Sequence, residues 1–297
     1  MNPQRTFVRK VVYVVAIGLL LIPLFLLARP ASSGRPGGKL AELREAQGLS
    51  EAQIGEIDPT SETMKLSTFG MRGVATAILW QKSMDYQKKK DWTGLAATLN
   101  QIIRLEPHFI SVWKFQSWNM SYNVSAEFDD YRERYRWVIK GIEFLQDGID
   151  YNKNEPMLVW DTGWYISQKI GRADESKQFR RLFKLDPDFH ENEVGEDRDN
   201  WLVGKKWFRR AEEMVDQGAD LKRTTPALFY SHASMCQMNY SEALEKDGVF
   251  GDRAKQAYEQ AASDWFAFGD REIPTTEPGQ RIRLNVVEAL DKQAKAK

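Results

Sequence analysis

Residues 156–187 read PMLVWDTGWYISQKIGRADESKQFRRLFKLDP, and the reading of this stretch decides the fold. Pro156 suits the first turn of a helix, where a backbone N–H would have no partner anyway. Residues 156–170 keep a helical period, Gly171-Arg172-Ala173-Asp174 turns the chain, and a second helix containing Phe179 runs to the stop at Pro187. The unit is a helix hairpin. Its closing sequence KLDPDF (184–189) nearly repeats RLEPHF (104–109): a cation, a leucine, an acid, a proline, one variable residue and a phenylalanine. In each copy the leucine packs the end of a helix, the acid and proline stop it, and the phenylalanine seeds the next segment. NEP (154–156) opens a helix with the same acid-proline pair.

Outward from this stretch, helical periodicity holds from Leu66 onward. FGMRGVATAILWQKSMDYQ (69–87) spaces Val74, Ile78, Leu79 and Met84 as an apolar stripe. TGLAATLNQIIRLEP (93–107) gives Leu95, Leu99, Ile102 and Ile103, then stops at Pro107. Further helices are predicted from Phe109, over 128–149 and 156–170, and near 198–216, 226–246, 250–268 and 280–295. Ser50-x-x-Gln53 is a capping box, which adds a short helix at 49–57. No run of alternating β-branched residues is bounded by turn signals, so no strand is predicted. The expected class is all-α.

Helices arriving in pairs, with proline after the second, resemble the tetratricopeptide repeat, a helix hairpin of about 34 residues. Residues 156–187 carry the resemblance best, through Trp160, Gly163 and Tyr165 in the first helix, the Gly171–Asp174 turn, Phe179, and Pro187. The spacing departs from the family, since the prolines at 107, 156 and 187 are unevenly placed and Gln178 stands where a small residue belongs. What the resemblance implies is an irregular α-solenoid of hairpins over residues 40–280, with a C-terminal helix and charged tail at 281–297. It also implies a partner-binding groove rather than an active site.

Charge is evenly balanced over the chain, at 42 Lys+Arg against 42 Asp+Glu, but not along it. Residues 1–39 hold Arg5, Arg9, Lys10, Arg29, Arg35 and Lys39 and no acid, so the remainder is acidic. An acidic body is a poor match for phosphate, and no nucleic acid is expected as a partner. Behind the basic tail at 1–10, residues 11–28 (VVYVVAIGLLLIPLFLLA) run 18 residues without a charge. As a helix this would span about 27 Å, close to the hydrocarbon thickness of a bilayer. It is read as a single transmembrane anchor, with a cleaved signal peptide ending near Ala31-Ser32-Ser33 as the alternative. Basic residues lie on both sides of it. A short N-terminal tail favours a cytoplasmic N-terminus and an extracytoplasmic body. RPASSGRPGG, within 29–39, reads as a flexible linker.

Motifs for chemistry are scarce. There is no G-x-G-x-x-G, no G-x-x-x-x-G-K-[ST], no H-E-x-x-H and no G-x-S-x-G, so no cofactor, metal or catalytic residue is assigned. His190, in HENE, is expected to be a solvated turn histidine, and Cys236 an inert buried thiol. Asp129-Asp130 and Glu212-Glu213 diverge as i,i+1 pairs and are expected on solvated helix faces. The sequons at Asn119, Asn123 and Asn239 fall inside predicted helices and are set aside.

Aromatic residues are the anomaly: ten Trp, ten Tyr and fifteen Phe. Trp113 and Trp160 each follow a valine and start a helix after a proline, and Trp118/Tyr122 and Trp160/Trp164 are i,i+4 pairs. Many of these rings are expected to fill gaps between irregular hairpins. The rest are expected on a concave face. The candidate partner-binding residues are Trp113, Trp118, Asn119, Tyr122, Trp160 and Trp164, gripping a protein or peptide. The expected function is a membrane-anchored, non-enzymatic scaffold. Its rivals are a carbohydrate-binding or glycoside-processing enzyme using Asp161 and Glu127, and a structural envelope protein.

Overall fold

In the computed structural model the described residues are 12–13, 15–20, 22–23, 38–39, 72–190, 193–222, 224–274 and 279–283. They form two compact units, Met1–Phe109 and Ile110–Lys297. The architecture is all-α, with one short β-ribbon near the C-terminus. The apolar segment 11–28 lies partly outside the described residues, and the expected helix at 49–57 lies wholly outside them. Among the described residues no helix is long and apolar enough to cross a membrane.

In the first unit, α1 (Arg72–Lys88) and α2 (Trp92–Leu105) form an antiparallel pair. Asp91 caps α2 by accepting from the Gly94 N–H at 2.9 Å, which satisfies one of the donors a helix start leaves open. Leu95, Leu99 and Ile102 are fully buried, as the periodicity predicts. The stripe expected on α1 is not the buried one. Val74 and Ile78 are exposed, while Thr76 and Ser83 face inward. The Ser83 hydroxyl is satisfied locally, its Oγ donating to Trp80 O at 2.7 Å.

The second unit begins with α3 (Ile110–Trp118), which widens into a π turn (Asn119–Val124) and a 3₁₀ turn (Ser125–Glu127). Next comes α4 (Tyr131–Tyr151), capped by Asp130 through the Arg132 N–H. α3 and α4 are antiparallel: Ser117 Oγ donates to Gly141 O at 2.8 Å, and Trp113 stacks on Tyr151. α5 (Pro156–Trp164) starts on its proline and also widens, into a π turn at Tyr165–Lys169, before ending at Ile170–Arg172. α6 (Ser176–Leu185) follows the predicted turn. It does not lie along α5. Phe179 packs on Tyr135 of α4, and the long antiparallel mate of α5 is α7 (Asn200–Asp216). Gly163 and Gly204 permit that approach: a methyl at Gly163 would meet the Phe208 ring at 3.1 Å. Beyond it lie α8 (His232–Lys246) and α9 (Asp252–Asp270).

Four expectations are corrected in this unit. Residues Arg281–Arg283, expected in a helix, form strand β2, paired antiparallel with β1 (Glu272–Pro274). No alternation signalled so short a ribbon. Glu212, expected on a solvated face, is 2% exposed. Arg209 Nη1 reaches its Oε2 at 3.0 Å, and Arg271 also grips Glu212 and, through its second nitrogen, Asp216. Lys205 Nζ lies 2.5 Å from Asp264 Oδ2, so α7, α9 and the start of the ribbon share one neutral ion ladder. His190 is likewise buried. Its Nε2–H donates to Phe183 O at 2.8 Å and its ring meets Phe183 edge-on. The second acid-proline element also does more than stop a helix. Asp186 accepts the Tyr135 hydroxyl at 2.8 Å and the backbone N–H groups of Asp188 and Phe189, and Phe189 folds back on Phe183 rather than seeding a helix.

Candidate functional site

α3 and α5, each carrying a Val-Trp pair near its start, lie beside one another. Lys114 Nζ lies 3.1 Å from Asp161 Oδ2 near their starts. Tyr122 meets Tyr165 edge-on at 5.6 Å near their ends. The two helices therefore run side by side in the same direction. One constant offset relates Trp113 to Trp160, Lys114 to Asp161, Trp118 to Tyr165 and Tyr122 to Lys169. Both helices break into a π turn after nine residues, one position apart in this register. A π turn inserts one residue and rotates those that follow, a device common at functional positions.

The two rows face one another as three rungs. The first is the Lys114–Asp161 ion pair. Burial raises the Asp161 carboxyl to about 6, opposed by Lys114 and helped by Glu155. The second sets Tyr165, whose phenol burial holds protonated, edge-on to Tyr122. Trp118 is 41% exposed and stacks on Tyr122 at 6.4 Å. The third is Tyr122 under Lys169, with Nζ 4.5 Å from the ring centroid. Burial raises the Tyr122 phenol, and the Trp164 indole at its hydroxyl offsets part of that. Burial lowers the pKa of Lys169, against the pull of Glu175.

The six predicted residues divide. Trp118, Tyr122, Trp160 and Trp164 converge, since Trp160 stacks on Trp164 at 5.3 Å and Trp164 reaches Tyr122. Trp160 is only 8% exposed and backs the site, packed on Phe208 and His232. Trp113 and Asn119 turn away. Trp113 is 3% exposed and fills the α3–α4 interface against Phe144 and Gly148. Asn119 is 1% exposed and accepts from Asn123 Nδ2 at 3.0 Å, so its sequon is occupied internally. Asp161 is engaged by a lysine, while Glu127 lies exposed at the end of the 3₁₀ turn.

Sequence reasoning missed Lys114, Tyr165 and Lys169. The signal was available in the shared offset of Trp113 and Trp160, which also relates Lys114 to Asp161 and Tyr122 to Lys169, two pairs that meet in the fold. Cys236 stands outside the site, its buried thiol pushed up to about 12. Among the described residues no three His, Cys, Asp or Glu side chains gather as a metal site would require. Compared with known proteins, the chain matches no family model, no curated sequence and no solved structure.

Proposed function

We propose that this chain is a non-enzymatic scaffold that holds a protein or peptide partner on the paired first helices α3 and α5. One observation carries the reading: an exposed tryptophan, Trp118, is pre-stacked on Tyr122 and backed by Trp164 and Trp160. A large ring already fixed by its neighbours loses little conformational freedom on binding, so aromatic anchors of this kind dominate interfaces. The parallel setting of α3 and α5 supports an irregular tetratricopeptide-like solenoid, in which first helices line the binding face. The mating of α5 with α7 marks where the array departs from the family. The apolar segment 11–28 would anchor the body to a membrane, on its extracytoplasmic side, and raise the local concentration of partner.

Affinity capture on the full chain in detergent tests this, comparing wild type with Trp118→Ala/Trp164→Ala. Loss of the captured partner is expected while the far-UV circular dichroism stays native. A folded double variant that retains its partner would sink the assignment of this face, and so would wild type capturing nothing.

A further inference from the structure

The three rungs between α3 and α5 are not equally complete. The first is closed, because Lys114 and Asp161 neutralise one another. The last is open. Lys169 sits half-buried over Tyr122, and among the described residues none of its three ammonium donors meets an acceptor within hydrogen-bonding or ion-pairing distance. The carboxylates that act on it, Glu175 and Asp174, do so from farther off. Glu175 is committed to Arg134, and Asp174 is exposed on the turn. A cation held against a ring gains from the quadrupole but keeps its unused donors, which suit a charge-assisted bond to an incoming anion.

We infer that this face recognises a carboxylate on its peptide partner, taken by Lys169 while a neighbouring apolar side chain of the same peptide lies on the Trp118–Tyr122 stack. The inference rests on the binding reading above and narrows it to one class of guest: an acidic residue beside an aromatic or aliphatic one. An anionic lipid surface fits less well, because such surfaces are held by clusters of several cations, and the other lysine of these two rows is already paired.

A random-peptide library displayed on phage, panned against the full chain in detergent, tests the inference directly. The enriched peptides should share Asp or Glu next to an apolar residue. For the best of them, made synthetically, Lys169→Gln should weaken Kd by about tenfold or more. Replacing the acid of the peptide by its amide should cost wild type as much, and the two changes together should cost little beyond either one. The peptide-side change needs no altered protein, so the test survives if Lys169→Gln folds poorly. Peptides lost on Trp118→Ala but indifferent to Lys169→Gln and to the amide would leave the binding face standing and overturn the carboxylate. Failure to enrich any peptide, or enrichment of peptides indifferent to Trp118→Ala, would overturn both. Binding to phosphatidylserine vesicles that Lys169→Gln abolishes, without peptide binding, would replace the peptide by a membrane and overturn the inference.

Discussion

Trp113 and Trp118 belong to one helix and do opposite work. The first is 3% exposed against α4; the second is 41% exposed on the face toward α5. Trp113→Ala opens a cavity and should cost about 3–5 kcal/mol in urea denaturation, whereas Trp118→Ala should stay within about 1 kcal/mol. Equal costs would mean the assignment of core and surface is wrong. Asp161 makes a pH prediction. Its carboxyl is raised from 3.8 to about 6, chiefly by burial, so the folded state binds its proton more tightly than the unfolded chain does. Its contribution to stability is therefore complete below pH 3.8 and is lost as pH rises through about 6, an effect on the order of 3 kcal/mol. The difference in stability between wild type and Asp161→Asn, followed by denaturation from pH 4 to pH 7, should fall across that window. A flat difference would show that Lys114 fully compensates burial.

At the scale of the element, helix periodicity located most of the helices but not all of their faces. α2 buries the leucines that its spacing predicts, whereas α1 exposes Val74 and Ile78 and turns Thr76 and Ser83 inward. An apolar stripe states which face prefers burial; the neighbour available decides which face is buried. The α3–α4 contact depends on Gly141, since a methyl there would sit 2.8 Å from the Ser117 carbonyl oxygen. Gly141→Ala should destabilise the second unit by about 1–3 kcal/mol and disturb the Ser117 bond to residue 141, despite the better helix propensity of alanine. A variant as stable as wild type in thermal melting would show that the two helices can separate freely. The π turns were invisible in sequence, because one inserted residue alters neither composition nor capping. Like the twin Val-Trp starts, they are shared by α3 and α5.

Across the second unit, the ion ladder joins parts of the chain that sequence reasoning treated separately. Arg271 links α7 to the ribbon by holding Glu212 and Asp216 while its guanidinium lies 4.8 Å from the centroid of the Tyr230 ring. Glu212 keeps Arg209 when Arg271 is removed and the Arg271 side chain is 31% exposed, so Arg271→Met should cost about 1 kcal/mol and raise amide exchange at Ile273 more than at Phe208. Uniform acceleration would instead indicate global destabilisation without a local latch. The candidate site was half legible: its rings stood out by abundance and i,i+4 spacing, while Lys114, Tyr165 and Lys169 look like ordinary surface residues until α3 and α5 lie side by side. The sequence by itself determined an all-helical chain, its turns at acid-proline pairs, and the rings from which a binding face is drawn, because periodicity and backbone restriction act over a few neighbouring residues. Only the tertiary structure decided that α5 pairs with α7, that Glu212 and His190 are buried, and that Trp113 is core while Trp118 is surface. Burial and ion pairing depend on which segments distant in sequence meet, and no local pattern encodes that meeting.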